Sequence, residues 1–493
     1  MTDTKKPVGG YSAIVYKEGN LVIAEDYRGK KIAEGEAGVD DASVIQSAVD
    51  VGGKIVIRKG LYILKHKISI PSNTYLEILG TLKLADAEND HVLYIPSNAH
   101  DIVIDGKRIG VVDGNRENQT GGVLGGIVAP NKCNAHRIII QGIKVTNCKN
   151  WPLNLVDVHD VIVRECEFSY SGNSPEIAGT DVDSAYNCWF INCVAHDIDD
   201  HGITLYGGVW KSGVVGCISY RNATGISCLN DSATPNPEHD IVIAHNICYE
   251  NGSYGIDIIG IENDNYNILI ANNITFKNNQ NNGTLSSEIN LIGSRLFCEG
   301  NIIHSTYGTS EVSGINVGGT GPHFIRNNAI FNIGQGGTKG NGIFIQDTAG
   351  DIVIENNYIG DTQENPTMHN CIIVWLGETV SGYLIIKNNY FGAQPTRKIN
   401  IAGTANNRII KHNFGYITEN SGTATFNGDG STTQFSIAHG LVSTPSKVLV
   451  TPMTADAAGD FYVTADADYI YINYKTAPPS GTDNVKVSWY AEV

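Results

Sequence analysis

The chain has 493 residues, and its 34 Lys and Arg against 51 Asp and Glu give a formal net charge of −17 at pH 7. This excess of negative charge argues against nucleic acid or an anionic membrane as the main partner. Ten cysteines are too few for a disulfide scaffold, and no run of 18 apolar residues predicts a membrane-spanning helix.

Residues 1–33 are polar and predict an N-terminal arm or a short β extension. The opening MTDTKKPVGG lacks the apolar core of a signal peptide. We therefore expect a protein that is cytoplasmic, part of a particle such as a virion, exported by another route, or trimmed. Of these, an extracellular or virion-associated protein is favoured.

A short capping helix is predicted next. Ile45, Ala48 and Val49 recur at helical spacing, and Gly52-Gly53 separates them from an alternating strand. A helix of this kind covers the open end of a solenoid, where it shields a sheet edge and the core.

Residues from about 143 to 413 carry a repeat of 23 to 32 residues, which is typical of a solenoid with one turn per repeat. Apolar residues alternate within each repeat, as in strands with one buried face, and no sustained helical stripe occurs between about 135 and 415. The repeats align on one ladder: Ile143, Cys166, Cys193, Cys217, Asn246, Asn273, Asn301, Asn328, Asn357, Asn389 and Asn413. The sequence thus predicts an all-β parallel β-helix over residues 34–415.

The residues of this ladder have structural roles in our interpretation. The Asn amides are expected to stack and hydrogen-bond along the axis, with Cys166, Cys193 and Cys217 continuing the ladder as buried thiols. These cysteines lack the Cys-x-x-Cys spacing of metal sites, so we predict neither ligands nor disulfides.

Residues 416–493 predict a small β-sandwich, because the repeat stops and alternating strands follow a Gly/Ser/Thr linker. This domain is interpreted as a binding or oligomerisation module. Trp489, Tyr462 and Tyr471 are expected to fill its core or a subunit contact, with sugar binding as the alternative.

A polar stripe is predicted on one strand column of the solenoid. In HGITLYG, Thr204 and Tyr206 are expected to face outward, and the same positions one turn earlier fall on Asp181 and Asp183. The column continues through Asn154 on the preceding turn, and through Ser227 and Asp257 on later turns. Such a stripe forms a groove suited to an extended polysaccharide.

Asp199, Asp200 and His201 enter this stripe at a turn. Closely packed carboxylates repel each other, which raises the pKa of at least one and supplies an acid beside a base, as glycoside hydrolysis requires. The alternative chemistry is a uronan lyase or C5-epimerase, in which His201 or Tyr206 removes a proton.

Further residues have supporting roles in these predictions. Lys211 or Arg221 would neutralise a substrate carboxylate in the lyase or epimerase, and Trp151 would offer a sugar platform. The aspartates can instead be ordinary turn residues or bind Ca²⁺, although no Asp-x-Asp-x-Asp-Gly loop is present. No cofactor is required, and no metal site is assigned.

The capping region resembles the pectate-lyase-like right-handed β-helix superfamily, whose cap reads Asp-Asp, Ile-Gln-x-Ala, Gly-Gly and then Gly-x-Tyr. The matching residues are Asp40, Asp41, Ile45, Gln46, Ala48, Gly52, Gly53, Gly60 and Tyr62. The resemblance covers residues 34–415 and implies a right-handed parallel β-helix. It leaves function open, because the superfamily contains lyases, hydrolases, epimerases and adhesins such as phage tailspikes.

The acidic segments resemble those of inverting β-helix hydrolases, the group that includes polygalacturonases. Gly179-Thr180-Asp181 and Ile198-Asp199-Asp200 match their two motifs. The resemblance implies Asp199 or Asp200 as the acid, with Asp181 and the remaining aspartate positioning water. Their Gly-His-Gly and Arg-x-Lys motifs are absent, which argues against galacturonan as the substrate.

Two other resemblances keep alternatives open. SAYNCWFINCVAHDIDDHGI is similar to repeats of alginate epimerases, but Asp183 stands where their Asp-Pro-His motif has His. The C-terminal domain resembles those of phage tail and fibre proteins, which implies a tailspike-like adhesin that binds glycan without cutting it. A homotrimer is favoured slightly over a monomer on this ground.

Overall fold

The structure is a computed structural model that describes residues 10–122, 124–181, 183–230, 236–260, 265–283, 286–308, 311–334, 339–395 and 397–493. Most strands wind into a solenoid in which each turn contributes a strand to three parallel sheets. A separate antiparallel domain follows at the C-terminus. The short parallel registers between successive turns satisfy the backbone groups of each strand from the turns above and below.

The first sheet contains Ile68–Ser69, Leu93–Tyr94, Ile127–Ala129, Leu153–Val156, Glu176–Ala178, His201–Tyr206, Thr224–Asn230, Ile256–Gly260, the start of Ser287–Glu299, Val312–Gly319, Gly340–Thr348, Met368–Val374 and Arg397–Ile401. The second contains Gly53–Ile57, Thr74–Ile78, the start of His100–Asp113, the start of His136–Thr146, His159–Arg164, Ala185–Ile191, Val209–Trp210, Gly213–Val215, His239–Ala244, Asn265–Ala271, the end of Ser287–Glu299, His323–Arg326, Ile352–Glu355, Thr379–Lys387 and Thr404–Lys411. The third contains Leu61–Leu64, Thr81–Leu84, the ends of His100–Asp113 and His136–Thr146, Glu167–Ser169, Val194–His196, Ile218–Tyr220, Ile247–Tyr249, Ile274–Phe276, Ile302–His304, Ala329–Phe331, Tyr358–Gly360 and Tyr390–Phe391.

The Asn ladder forms inside the solenoid as the sequence predicts. The Asn301 amide donates to Asn328 Oδ1 at 2.9 Å and accepts from the Asn273 amide at 3.0 Å. The pattern extends from Asn246 to Asn413, and the Cys217 backbone N–H donates to Asn246 Oδ1 at 2.8 Å. All ten cysteines are buried and free, so the thiols fill the core as expected.

The N-terminal end of the solenoid is closed by the helix Asp41–Val49, which buries Ile45, Ala48 and Val49. The buried Asp41 carboxylate accepts hydrogen bonds from Ile63 N at 2.7 Å and Lys17 Nζ at 2.8 Å. Ahead of the helix, the strands Ala13–Glu18, Leu21–Asp26 and Lys31–Glu36 form an antiparallel meander. The first of them pairs in parallel with Gly53–Ile57, so the N-terminal segment extends the sheet.

The C-terminal domain has two antiparallel sheets that pack on one core. One contains Glu419–Gly428, Lys447–Pro452 and Gly481–Glu492, and the other Gln434–Ala438, Phe461–Ala465 and Tyr469–Tyr474. Trp489 lies in the shared core, whereas Tyr462 is exposed. Tyr471 donates from its hydroxyl to Asp466 on the domain surface. Across the described ranges, no helix is long and apolar enough to cross a membrane.

Candidate functional site

A polar stripe runs along the outward face of the first sheet, with one residue from each of five successive turns. The strand register aligns Asn154, Glu176, Thr204, Ser227 and Asp257. Three of these, Thr204, Ser227 and Asp257, are buried. Asn154 Oδ1 and Ser227 Oγ are buried without a hydrogen-bond partner within the described part of the chain. Buried polar atoms of this kind are uncommon in folded proteins.

The sequence predicts Asp181 and Asp183 in this stripe, and that placement is wrong. The strand of their turn is Glu176–Ala178, so Glu176 pairs with Thr204 and Ala178 pairs with Tyr206. Asp181 follows this strand in a loop, where its carbonyl accepts a hydrogen bond from Ser184 Oγ at 2.8 Å. The loop is also held by Thr180, which donates to the Asp157 carboxylate. Polar residues with short side chains therefore favour a turn where the sequence predicts a strand.

Asp181 is consequently far from Asp199 and Asp200. It lies beside Gly208, just beyond the end of the strand His201–Tyr206, whereas the other two aspartates precede that strand. At about 3.3 Å per residue, the strand separates the two groups by about 20 Å. They cannot act together on one glycosidic bond.

Glu176 is the acidic residue that belongs in the stripe. Burial, with a smaller contribution from the nearby Asp200 carboxylate, raises its pKa to about 8. Polar contacts with the side chains of Trp151 and Ser174 offset part of this rise. Glu176 therefore keeps a transferable proton at neutral pH.

Asp200 and His201 come at the start of the next strand, where the Asp200 charge is close enough to raise the pKa of Glu176. The Asp200 side chain is 41% exposed, and its Oδ1 lies 3.7 Å from His201 Nε2. His201 Nδ1 lies 3.4 Å from Thr204 Oγ1. The predicted Asp200 and His201 thus form a pair, and the charge of Asp200 acts on Glu176.

Asp199 has a different environment from its neighbour Asp200. Its carboxylate forms an ion pair with Arg116, which comes from the 3-10 helix Arg116–Asn118 on an earlier loop. Its backbone N–H donates to Ser171 O at 3.0 Å. The Asp199 carboxylate is therefore held by a guanidinium, whereas the Asp200 carboxylate pairs with no Lys or Arg in the described part of the chain.

Asp257 continues the site on a later turn. Burial raises the pKa of its carboxyl, while a hydrogen bond from Asn290 Nδ2 at 2.8 Å and the proximity of His201 lower it. Asn290 in turn accepts from Asn316 Nδ2 at 2.7 Å, so a line of amides supports Asp257 from behind. Burial and the Asp257 charge raise the pKa of Tyr254 to about 12. This tyrosine is therefore a poor base.

The remaining predicted contacts divide into two groups. Trp151 contacts the Glu176 side chain, and Asn154 is paired with Glu176 on the adjoining strand. Tyr206 lies at the far end of its strand, about 16 Å from His201 at 3.3 Å per residue, so these two do not form a joint centre.

Asp183, Lys211 and Arg221 lie outside the stripe. Asp183 Oδ1 lies 2.7 Å from His239 Nε2, and the Lys211 ammonium lies 4.1 Å from the Trp210 ring centroid, at the edge of the second sheet. Arg221 donates to both oxygens of Asp197 beside the third sheet. Their predicted contact with a substrate in the polar stripe has no geometric support.

No metal centre is evident in the described ranges, since no group of three or more His, Cys, Asp or Glu side chains is arranged to hold an ion. Calcium binding at the aspartate turn therefore stays a prediction.

No known protein family matches the chain by sequence, and no curated protein does. Among solved structures, it is similar to the A-module of the mannuronan C-5 epimerase AlgE6 of Azotobacter vinelandii, with 15% identity, a TM-score of 0.50, and coverage of 75% of this chain and 96% of that one. The chain is a right-handed parallel β-helix. The similarity to the AlgE6 module confirms the predicted fold. Because the sequence identity is so low, the similarity shows the fold alone.

Two further structures resemble this β-helix. The A-module of AlgE4 from the same bacterium is 17% identical, with a TM-score of 0.48 and coverage of 76% of this chain and 97% of that one. A mutant tailspike protein of E. coli bacteriophage HK620, in complex with a pentasaccharide, is 15% identical with a TM-score of 0.46, and the match covers 95% of this chain and 92% of that one.

The sequence prediction misses Glu176, although a signal for it exists in the β-helix repeat. Cys166 and Cys193 occupy the same ladder position on the two turns that carry Glu176 and Thr204, and they are 27 residues apart. Counting 27 residues back from Thr204 arrives at position 177, next to Glu176 and four residues before Asp181. The Gly-Thr-Asp motif gives a more familiar match, and following it shifts the first sheet out of register.

Proposed function

We propose that this β-helix is a polysaccharide-active enzyme, and specifically a glycoside hydrolase that acts on an extended glycan bound along the polar stripe. The observation that carries the proposal is the pair formed by Glu176, with its pKa of about 8, and the exposed Asp200 carboxylate that helps to raise it. Two carboxyl groups whose environments differ in this way supply an acid and a base.

The reaction follows from these two roles. Glu176 donates its proton to the glycosidic oxygen as the bond to the anomeric carbon breaks. Asp200 takes a proton from a water molecule, and the resulting hydroxide forms the new bond to that carbon. One water is consumed and the glycan is split into two shorter chains. Asp200 then returns its proton to Glu176 through solvent. No step needs a cofactor.

The shape of the stripe supports a polymeric substrate. Its five residues are spaced by about 4.8 Å per turn, which is close to the length of one sugar unit, so successive turns can contact successive sugars. Trp151 offers an aromatic side chain beside Glu176, and Asn154 and Ser227 carry unused hydrogen-bonding atoms. The AlgE6 A-module, named as a mannuronan epimerase, is an example of polysaccharide chemistry on this fold.

A lyase or C5-epimerase is the second proposal, and His201 favours it. Its imidazole lies within reach of both Asp200 and Thr204, which can orient it as a base. Tyr206 is too distant to assist, and the cations Lys211 and Arg221 lie elsewhere. The hydrolase therefore has the stronger support.

The experiment is a screen of the purified full chain on neutral and acidic polysaccharides. New reducing ends without ultraviolet absorption support the hydrolase, whereas an unsaturated product absorbing in the ultraviolet supports the lyase. Binding without any product supports a tailspike-like adhesin. Glu176→Gln and Asp200→Asn must each abolish the hydrolysis, and the hydrolase proposal fails if either variant retains it. An extracellular or virion-associated setting, consistent with such a substrate, is part of the same proposal.

A further inference from the structure

The outward face of the third sheet carries an apolar stripe. One column of it runs through nine successive turns: Val194, Ile218, Ile247, Ile274, Ile302, Ala329, Tyr358, Tyr390 and Phe414. These residues alternate with buried ones such as Cys248 and Ile303, so they point away from the core. Ile302 is 41% exposed, Tyr390 45% and Phe414 63%.

A second column widens the stripe. His196, Tyr220, Tyr249, Phe276, His304 and Phe331 follow the first column two residues later on their turns. Their rings stack with centroids about 5 Å apart, for example 4.9 Å between Tyr220 and Tyr249 and 5.1 Å between His304 and Phe331. Stacking covers the ring faces and leaves a flat row of ring edges toward solvent.

The apolar character is local to these turns. Immediately before Val194 the same column holds Glu167 and Lys144, which form an ion pair at 2.7 Å. Outward positions of the third sheet can therefore be polar without disturbing the fold. The apolar run needs another explanation, because soluble proteins seldom expose a long contiguous apolar patch without a partner.

Charged residues border the stripe with alternating sign. Asp197, Arg221, Glu250 and Lys277 each follow a ring of the second column in a left-handed conformation. Asp197 and Arg221 pair with each other. Glu250 and Lys277 form no ion pair with any residue in the described ranges. A border with one unpaired charge of each sign is complementary to itself.

We propose that the apolar stripe is the contact between copies of this chain, which associate side by side along their solenoid axes. Nine turns of about 4.8 Å and a width of about 10 Å give a patch of about 400 Å² per copy. A stable interface buries about 800 Å² per partner, so the stripe forms its apolar centre and the charged border its rim. A straight, flat surface of this length fits a second copy because that copy presents the same length and spacing.

The test is the mass of the full chain in solution, measured by sedimentation equilibrium between about 0.1 and 50 μM. One chain is 53.1 kDa, and a mass of two or three chains is expected. Two chains indicate a two-fold contact of stripe on stripe, and three indicate that the stripes meet around a three-fold axis. A monomer at every concentration overturns the proposal.

Ile274→Lys in the middle of the stripe tests the location of the contact. We expect the dissociation constant of the assembly to rise at least about 30-fold, as for a central interface residue. Leu269→Lys is the matched control, because Leu269 lies half-buried and outward on the second sheet of the same turn. Equal dissociation in both variants, or in neither, contradicts the proposed location.

A charge swap provides a second test of the contact in case the Ile274→Lys variant misfolds. Glu250→Lys and Lys277→Glu should each weaken association, and the double variant should restore it if the two residues pair across the interface. Unchanged association in all three variants removes the border from the contact. The outcome is independent of activity, since the polar stripe lies on another sheet.

Discussion

The first and third sheets share the same turns and the same core, yet their outward faces are opposite in chemistry. The first presents a partly buried polar stripe with Glu176 and Asp257, and the third an exposed apolar stripe with Ile274 and Tyr390. Polar groups that are buried and apolar groups that are exposed both carry a cost that a folded chain does not need to accept. The core therefore defines this solenoid, while the outward positions are free to define its interactions.

The interior explains why the two faces can diverge. Most inward positions on the first sheet are Ile or Leu, as in Ile203 and Leu205, and the Asn ladder lies at one corner of the turns from Asn246 to Asn413. Backbone pairing continues whichever side chain points outward. A change on one face should therefore leave the other intact.

The largest expected effect is the loss of activity in Glu176→Gln. Because Gln cannot donate the acidic proton, the hydrolysis rate should fall by about a thousandfold. The measurement is the initial rate of reducing-end release. Glu167→Gln makes the same chemical change on the third sheet, and its rate should stay within about twofold of the wild type. A similar loss in both would show that the two faces are not separate.

Asn301→Ala should lower the free energy of unfolding by about 3 kcal/mol. The substitution leaves the Asn273 amide and the Ile270 carbonyl without their buried partners. Urea denaturation followed by circular dichroism measures the change. The exposed Asn407→Ala should change it by less than about 0.5 kcal/mol. Equal effects would mean that the amide ladder contributes little.

Stability should fall as the pH rises from about 5 to 8. Burial raises the pKa of Glu176 and Glu238 to about 8 and of Glu288 to about 7 from the usual 4.5. The unfolded chain releases these protons near pH 4.5 and the folded chain keeps them, so deprotonation at higher pH favours unfolding. Each group contributes up to about 1.4 kcal/mol per pH unit inside its window.

Glu288→Gln isolates one of these contributions in the core, away from both faces. Glu288 accepts a hydrogen bond from the Asn278 backbone N–H at 3.0 Å, which a Gln carbonyl can replace. Thermal unfolding at pH 5, 6, 7 and 8 should show a shallower decline for this variant between pH 5 and 7. An unchanged slope would contradict the role of Glu288.

The smallest expected effect is that of Asp181→Asn. Because Asp181 lies about 20 Å from Asp200 by strand length, its carboxylate should not assist the reaction, and the rate should stay within about twofold. Initial rates on the substrate that the wild type cleaves provide the measurement. A hundredfold loss of rate would indicate that Asp181 acts in the catalytic site, and it would contradict the observed register.

Much of the fold could be predicted because it depends on repeating local patterns. Asn246 to Asn413 recur at one corner of the turn, and each amide bonds only within its own and the adjoining turns, so spacing alone identifies them. The capping helix is equally local. The site is harder, because Glu176 depends on the register between turns, and the loop containing Thr180 and Asp181 alters the apparent spacing. Its pKa depends on burial and on Asp200, which no local pattern reports.

The third-sheet stripe was also beyond the sequence prediction, for a related reason. Ile247 and Ile274 each look like ordinary strand residues within their own turn. Only the alignment of nine turns makes them a continuous surface, and only the adjacent Glu167 and Lys144 show that such positions can be charged.

The Asn ladder also determines the length of the solenoid in whole turns. Each rung from Asn246 to Asn413 advances the chain by about 4.8 Å, so six steps place about 29 Å of solenoid between the turn that follows Asp200 and the C-terminal domain. Because every rung presents the same amide to the next, a whole turn could be removed or duplicated while each neighbour still finds an equivalent partner. The distance between the groove and the terminal domain can therefore change in whole-turn increments without redesign of either end.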